Sequence, residues 1–328
     1  MPDFDVVVTG AAGFIGAHVT RLLSEQGHRV LAIDSLRPVY DQAYQRQRVN
    51  SFSLTTNPNI SFHTIDLGSV SVESLSKTIA GIPTVVHLAA SPGVRRSTEY
   101  PSEYSHNNIR GFVNVLDAST LSGTSTLLFA SSSSVYGNRP AGTHMPETLA
   151  DGTCITSYYA GTKWANEVLA RAHPNKSLRT CAMRFFTVYG PWGRPDMAYF
   201  SFAKKIMEGS EIQLYGDGVL ERDFTHISDL DSRLSTLIDL SSNSDLSLPP
   251  ALNFGLGKPM AAARLLQLLE ENLKRKAIVK YVPKPVADVD GTFSDATQLT
   301  SMLGNQAATS FEDGIADFSS WFLRYVKS

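Results

Sequence analysis

The chain has 328 residues, of which 42% are hydrophobic and 18% are charged, and its formal net charge is −2. This composition is typical of a globular protein that forms one large unit or two domains. Acidic and basic residues are interspersed and nearly balanced, which excludes a basic face for nucleic acid and a polybasic segment for a membrane surface.

The two cysteines, Cys154 and Cys181, form no CxxC motif and belong to no Cys/His cluster, so no metal site is predicted. The first residues run into an apolar strand pattern without the features of a signal peptide, and no run of about 18 apolar residues could span a membrane. We therefore expect a protein of a reducing, cytoplasmic environment.

The first predicted elements are a strand, a glycine turn and a helix. A Val-rich run at residues 5–9 is followed by GAAGFIG and by a helical pattern through Gln26. Glycines at this place allow a tight turn, a close approach of the backbone to a ligand, and anion binding at a helix N-terminus. The spacing is GxxGxxG rather than the commoner GxGxxG. The residues predicted to bind a dinucleotide here are Gly10, Gly13, Phe14, Ile15 and Gly16.

The second predicted strand, residues 29–33, ends at Asp34. An acidic side chain there accepts hydrogen bonds from a ribose 2′-hydroxyl and repels a 2′-phosphate, which favours NAD over NADP. The alternative, a plain glycine turn between a strand and a helix, would not require an acid at this distance.

The alternation of strands and helices then continues. Further strands are predicted at residues 60–65, 83–88, 124–130 and 180–186. Pro101 is placed to begin a long helix, because its missing N–H costs nothing at the first helical position. Repeated units of this kind predict an α/β fold with a doubly wound parallel sheet of the Rossmann type. Ligands of such sheets bind beyond the carboxyl ends of the strands, where polar residues cluster in this sequence.

The pattern changes after residue 188, where GPWGRP interrupts the alternation. We predict a nucleotide-binding domain at residues 1–188, which later segments near 225–255 rejoin, and a smaller, mainly substrate-binding α/β region at residues 189–328.

Tyr159 and Lys163 lie four residues apart at the start of a predicted helix, so they share one face of it. A phenol beside an ammonium group is a proton-transfer pair, because the positive charge favours the phenolate. A tyrosine and a lysine at this spacing also occur by chance on solvated helix faces. The pair therefore gains its meaning from the motifs around it.

Seven motifs follow one another along nearly the full length of the chain. They are TGAAGFIG at 9–16, HLAA at 87–90, GVR at 93–95, SSSSVYG at 131–137, YAGTK at 159–163, RFFTVYGPWGRPDMA at 184–198 and RDFTHISD at 222–229. In this order and spacing the chain resembles the extended short-chain dehydrogenase/reductase family that acts on nucleotide sugars, and most closely its uronate 4-epimerases.

The resemblance implies a catalytic role for three residues and a tightly bound NAD that is regenerated in each turnover. Tyr159 would be the base and acid, Lys163 its electrostatic partner and a ligand of the nicotinamide ribose, and Ser132 a hydrogen-bond partner of the sugar 4-oxygen. Further cofactor contacts are implied for Asp66 and Leu67 at the adenine and for Leu88, Ala89 and Ala90 near the nicotinamide, with Asn108 in a buried polar role.

The resemblance also implies the residues that bind a UDP-sugar. They are Arg222 and Asp288 for the diphosphate and ribose, Arg95 and Arg194 near the sugar, and Thr187 with Ser133 or Ser134 at a sugar carboxylate. The arginines could instead form surface or structural ion pairs. The serine run could also simply end a strand, and the chain lacks an arginine that relatives often carry shortly before the position of Asp288.

Thr187 is the most discriminating position, since many relatives acting on neutral hexoses have Asn there, and threonine followed by GRPDMA is the uronate-type pattern. The implied reaction is 4-epimerisation of UDP-glucuronate to UDP-galacturonate through a 4-keto intermediate, by a homodimer. The alternatives are a 4-epimerase of a neutral UDP-hexose, a UDP-uronate decarboxylase, or a non-enzymatic NAD- or sugar-nucleotide-sensing module. A 4,6-dehydratase is disfavoured, because serines replace the Thr-Asp-Glu sequence of that group.

Overall fold

The structure is a computed structural model that describes residues 4–37, 39–140, 142–175, 177–243, 246–283 and 291–326. The chain forms two compact units. The first comprises residues 1–135, 155–184 and 231–252, and the second comprises residues 136–154, 185–230 and 253–328.

Strands and helices alternate as far as residue 185. In chain order these elements are β1 Val6–Thr9, α1 Phe14–Glu25, β2 Val30–Asp34, α2 Gln42–Ser51, β3 Ile60–Thr64, α3 Val72–Thr78, β4 Thr84–His87, α4 Val94–Glu99, α5 Pro101–Tyr104, α6 Gly111–Leu121, β5 Thr126–Ser132, α7 Tyr158–Ala172 and β6 Arg179–Phe185. The remaining elements are β7 Thr187–Tyr189, α8 Ala198–Glu208, β8 Glu211–Tyr215, β9 Glu221–His226, α9 Ile227–Ser241, β10 Ala251–Phe254, β11 Pro259–Ala261, α10 Ala262–Leu273, β12 Ile278–Val282, α11 Thr297–Leu303 and α12 Phe311–Tyr325.

The central feature is a seven-stranded sheet with the order β3-β2-β1-β4-β5-β6-β10. Strand β1 pairs in parallel with β2 and with β4, so that Val6 lies opposite both Val30 and Thr84. All four residues of β1 are buried, which explains its continuous apolar run, because helices cover both faces of such a sheet. The predicted α/β fold with a doubly wound parallel sheet is confirmed.

The long helix predicted from Pro101 is divided in the structure. Pro101 begins α5 as expected, but residues Ser105–Arg110 form a π-helical segment before α6 begins at Gly111. Phe112 and Leu116 of α6 are buried. Segments of this kind recur at functional sites, and this one contains Asn108.

The second unit contains two small sheets. Strands β11, β9 and β7 form one, in which β7 and β9 are parallel and β11 and β9 are antiparallel. Strands β8 and β12 form the other. An aromatic cluster lies between α8 and α12, where the ring centroids of Tyr199 and Phe318 are 4.8 Å apart.

The chain passes between the two units several times. Residues 136–154 and 185–188 belong to the second unit, and residues 231–252 belong to the first. Residues 136–154 join the second unit through hydrogen bonds from Tyr136 Oη to Asn253 Oδ1, 2.6 Å, and from the Met145 N–H to the Phe293 carbonyl, 2.9 Å. These partners lie more than a hundred residues away in sequence, so local patterns could not locate the boundary.

Within the described ranges, no helix combines the length and apolar character needed to cross a membrane.

Candidate active site

Steric contacts require glycine at two positions of the turn between β1 and α1. Gly10 has φ of 72°, in the left-handed region, and a Cβ on it would lie 2.6 Å from the Ala89 nitrogen. A Cβ on Gly16 would lie 2.0 Å from the Gly10 oxygen. The first turn of α1 carries no acidic residue, so its free N–H groups face no competing carboxylate there. The turn therefore fits a pyrophosphate.

Asp34 lies at the end of β2, next to this turn. Its carboxylate accepts hydrogen bonds from the Ala12 N–H at 2.9 Å and the Leu36 N–H at 2.8 Å. Burial raises the pKa of the Asp34 carboxyl, against the opposing effect of these hydrogen bonds and of Arg48. A carboxylate accepts about four hydrogen bonds, so capacity for a ribose hydroxyl remains after these two. The predicted position for NAD recognition thus fits the cofactor.

Asp66, which follows β3, lies in a cluster of hydrogen bonds and charges. It accepts from the Gly68 N–H at 3.0 Å, and it pairs with Arg37 Nη2 at 2.8 Å and His106 Nε2 at 3.2 Å. Burial alone would raise the pKa of Asp66, but hydrogen bonds from Ser69, Gly68 and His106 together with the Arg37 charge lower it overall. Arg37 and His106 were not predicted at this site, because they lie 29 and 40 positions from Asp66.

Leu67, the neighbour of Asp66, is buried, and its carbonyl accepts a hydrogen bond from Asn114 Nδ2 at 2.7 Å.

The residues after β4 are held by Thr9 at the end of β1. The Leu88 N–H donates to the Thr9 carbonyl at 3.1 Å, and the Ala89 N–H donates to Thr9 Oγ1 at 3.3 Å. Leu88, Ala89 and Ala90 are half-buried, so this segment retains exposed surface for a ligand.

Asn108 connects this segment to the helix that carries Tyr159. Its Oδ1 accepts from the Ser91 N–H at 2.7 Å, and its Nδ2 donates to the Ser91 carbonyl and to Thr162 Oγ1, each at 3.1 Å. Only 1% of Asn108 is exposed. The Ser91 backbone thus donates one hydrogen bond to the Asn108 side chain and accepts one from it.

Tyr159 and Lys163 lie in the first half of α7. Ser157 caps the helix by accepting from the Ala160 N–H at 3.1 Å, and the Tyr159 N–H donates to Ser97 Oγ at 3.1 Å. Lys163 Nζ donates to the Ala130 carbonyl at 2.9 Å and lies 6.0 Å from the centroid of the Tyr159 ring. Lys163 is 2% exposed, and this burial lowers its pKa to about 8.

The serine run at the end of β5 is divided between two roles. Ser131 Oγ donates to Glu167 Oε1 at 2.6 Å and is buried. Ser132 Oγ donates to Ser134 Oγ at 3.2 Å and accepts from the Ser134 N–H at 3.1 Å. Ser133 and Ser134 are half-buried in the short 3-10 turn that follows. The structure therefore groups Ser132 with Ser134 and separates Ser131 from them.

Thr187 belongs to the second unit, where it begins β7, lies opposite Phe224 of β9 and is half-buried. Arg222 lies two residues before Phe224 on β9, and its Nη1 donates to the Glu221 carbonyl at 2.8 Å. Parallel pairing of β7 and β9 thus places Thr187 and Arg222 in neighbouring strands.

The other residues predicted to bind the substrate are Arg194, Arg95 and Asp288. Arg194 makes two hydrogen bonds to Asp196, at 3.1 and 2.7 Å, so the structure shows the ion pair that was the alternative for this residue. Arg95 is exposed on α4 of the first unit. Asp288 lies outside the described residues.

Asp223 is a further buried acid beside Arg222. Its carboxylate accepts from the N–H groups of Leu256, Gly257 and Ser294 at 3.2, 2.9 and 3.0 Å, and from the Ser294 hydroxyl. It was not predicted, because its partners lie 33 to 71 positions away. No three His, Cys, Asp or Glu side chains form a possible metal site in the described ranges.

A parallel doubly wound sheet, a glycine turn that fits a pyrophosphate, an acid after β2 and a Tyr/Lys pair on α7 together define an enzyme of the dinucleotide-binding α/β class. The sequence profile of the NAD dependent epimerase/dehydratase family matches residues 6–244. The chain belongs to this family, and its cofactor is NAD.

Relatives within this family cover almost the whole chain. UDP-glucuronate 4-epimerase 4 of Arabidopsis thaliana is 36% identical over 98% of this chain and 75% of its own length. UDP-glucuronic acid 4-epimerase from Bacillus cereus, solved with UDP-glucuronic acid and NAD, is 28% identical with a TM-score of 0.89, covering 98% of this chain and 99% of its own. UDP-N-acetylglucosamine 4-epimerase from Methanobrevibacter ruminantium M1 is 27% identical with a TM-score of 0.85, covering 99% and 100%.

Proposed function

We propose that this protein is a UDP-sugar 4-epimerase whose preferred substrate is UDP-glucuronate, which it interconverts with UDP-galacturonate. The observation that carries the proposal is the pair of Tyr159 and buried Lys163, 6.0 Å from ring centroid to Nζ, on a helix of an NAD-dependent fold. Relatives that act on UDP-glucuronate, and the Thr187 and GRPDMA pattern, support the choice of sugar.

The chemistry assigns one task to each residue of the first unit. Tyr159, as phenolate, takes the proton of the sugar 4-hydroxyl and later returns it. Lys163 stabilises the phenolate by its charge, and Ser132 donates a hydrogen bond to the sugar 4-oxygen. Bound NAD would supply the acceptor for the C4 hydride, and because the same hydride would return to the opposite face of the 4-keto sugar, NAD would not be consumed. Burial disfavours the protonated form of Lys163, so a nearby anion such as the Tyr159 phenolate stabilises its ammonium group.

Recognition of the uronate is the finer part of the proposal. A 4-keto uronate is a β-keto acid, which loses carbon dioxide when the bond to its carboxylate turns perpendicular to the ketone plane. We propose that Thr187, with Ser133 or Ser134, holds the carboxylate away from that orientation by hydrogen bonds. Arg222 would bind the diphosphate. Arg194, which is paired with Asp196, would lie near the sugar.

The homodimer that the family resemblance implies remains part of the proposal. The resemblance implies that the helix beginning at Pro101 and the helix carrying Tyr159 pair with their mates in a second copy. Tyr100, the N-cap residue before Pro101, and Tyr158 and Val168 of α7 are 48%, 44% and 42% exposed, and this apolar surface supports such pairing.

The proposal is tested by incubating the purified protein, without added NAD, with UDP-glucuronate, UDP-glucose or UDP-N-acetylglucosamine and identifying the products by NMR. We expect UDP-galacturonate from the first and little or no product from the others. No turnover of any substrate would contradict the enzymatic role. Preference for a neutral sugar would leave the epimerase role intact but would contradict the proposed role of Thr187 in selecting the uronate.

Thr187→Ala tests the carboxylate contact. We expect KM for UDP-glucuronate to rise about tenfold, corresponding to one lost hydrogen bond to a charged group, with more release of pentose product. Thr187→Ser, which keeps the hydroxyl, should retain most of the wild-type behaviour. If the alanine variant binds UDP-glucuronate as well as the serine variant and releases no more pentose, Thr187 has no such role.

A further inference from the structure

Helix α7 presents three functional groups on one face. Tyr159, Lys163 and Glu167 follow one another at intervals of four residues, which places them in one stripe with about 6 Å of axial rise between neighbours. The first two belong to the proposed chemistry. Glu167 is 1% exposed and has no role in that chemistry.

The same stripe is attached to consecutive residues of β5. Lys163 Nζ donates to the Ala130 carbonyl at 2.9 Å, and Ser131 Oγ donates to Glu167 Oε1 at 2.6 Å. The next residue of the strand is Ser132, the proposed partner of the sugar oxygen. Two contacts, one from each end of the Lys163–Glu167 segment, therefore fix the register of α7 against the strand that carries Ser132.

The charge of Glu167 is balanced within the protein. Arg184 of β6 donates from Nε to Oε1 at 3.0 Å and from Nη2 to Oε2 at 2.8 Å, and Arg184 is itself 2% exposed. Arg171, one turn further along α7, lies 3.6 Å from the same carboxylate, but 41% of its side chain is exposed. The charged and titratable groups around this part of α7 are thus the Glu167 carboxylate, the buried Arg184 guanidinium and the Lys163 ammonium group. His87 of β4 also interacts with the charge of Lys163.

A single buried charge near Lys163 would act strongly on the phenolate, because the local dielectric is low. A paired carboxylate and guanidinium cancel most of this effect while keeping the geometry of a bidentate contact. We infer that Glu167 is a positioning residue, which with Ser131 and Arg184 holds Tyr159 in place relative to Ser132 without adding net charge beside the phenol. This inference rests on the proposed role of Tyr159.

Three variants of the full-length holoenzyme distinguish an effect on the position of Tyr159 from an effect on the charge near its phenol. Glu167→Gln keeps the shape and removes the carboxylate charge that faces Arg184. Ser131→Ala removes the attachment to β5 and keeps the ion pair. Arg171→Gln is the matched control, because it removes a charge within 4 Å of the same carboxylate from an exposed position. Each is measured for kcat, for KM and for the ionisation midpoint of Tyr159, read as ultraviolet tyrosinate absorbance relative to the corresponding Tyr159→Phe protein.

We expect Glu167→Gln to lower kcat about tenfold with little change in KM, and to lower the Tyr159 midpoint by about half a pH unit. Ser131→Ala should lower kcat and leave the midpoint unchanged, and Arg171→Gln should change neither. A loss of thermal stability in Glu167→Gln with wild-type kcat per folded molecule and an unchanged midpoint would show a merely structural ion pair and overturn the inference. Absence of turnover in the wild-type protein would instead contradict the proposed function.

Discussion

Lys163 carries its charge in surroundings that oppose it. Only 2% of the residue is exposed, its ammonium group donates to the Ala130 carbonyl, and burial lowers its pKa from 10.5 to about 8. Stabilisation of a phenolate on Tyr159 requires the protonated lysine. The proposed chemistry therefore depends on a charge that is lost slightly above neutral pH, whereas an exposed lysine would keep it to about pH 10.

We expect epimerase activity to fall as the pH rises through about 8, because Lys163 then loses its proton. Lys163→Met should lower kcat by about 10²-fold or more and abolish this alkaline decline, since no ammonium group remains to titrate. The measurement is kcat over a pH series at saturating substrate. A decline with the same midpoint in the methionine variant would assign the titration to another group.

Arg194 forms an ion pair with a neighbouring acid. From the sequence alone it could bind the sugar or form an ion pair, and the structure pairs it with Asp196, two residues away. Sequence proximity made that pair foreseeable. For Asp66 no such signal existed, because Arg37 and His106 reach it from distant parts of the chain.

At the level of elements, the π-helical segment Ser105–Arg110, which contains Asn108, interrupts the regular helix that was predicted from Pro101. Asn108 faces inward and links Ser91, after β4, to Thr162 in the first turns of α7. The segment therefore connects the proposed nicotinamide contacts to the helix of the Tyr/Lys pair.

Replacing Asn108 with alanine should destabilise the protein by about 2–3 kcal/mol. The buried Ser91 N–H would lose its acceptor, and a buried polar group without a partner is costly. Asn107→Ala is the matched control, because Asn107 is half-buried and donates to the Ser91 hydroxyl at 2.7 Å. Chemical denaturation of both variants measures the difference. Equal destabilisation of the two would show that burial of Asn108 does not set the cost.

Most of the large sheet could be predicted because its signals are local. The apolar run of β1, the glycine turn and the acid ending β2 lie within 29 residues, Val6 to Asp34. The break between β6 and β7 could not be predicted. Residues 180–186 form one apolar pattern, but Thr187 pairs with β9, 37 positions further on at Phe224, and so starts a strand of a different sheet. The contact between Ser131 and Glu167 spans 36 positions and had no sequence signal except the interval of four from Lys163.

For the molecule as a whole, acid stability should depend on a histidine at the end of β4. His87 is 2% exposed, and burial together with the charge of Lys163 lowers its pKa from 6.5 to about 3. Its Nδ1 lies 2.8 Å from Thr9 Oγ1, and Thr9 Oγ1 accepts from the Ala89 N–H. This arrangement suits a hydroxyl that donates to an unprotonated imidazole nitrogen.

Between about pH 6.5 and 3 the unfolded chain binds a proton at His87 that the folded chain does not, so the free energy of unfolding falls as the pH falls. At pH 5 the loss from this group reaches about 2 kcal/mol at most. His87→Gln should remove this part of the pH dependence, whereas His63→Gln, at an exposed position of β3, should leave it unchanged. Denaturant titrations at pH 7 and pH 5 provide the measurement. If both variants lose stability between these values as the wild type does, another group governs acid unfolding, and the neutral His87 next to Lys163 serves only the local geometry.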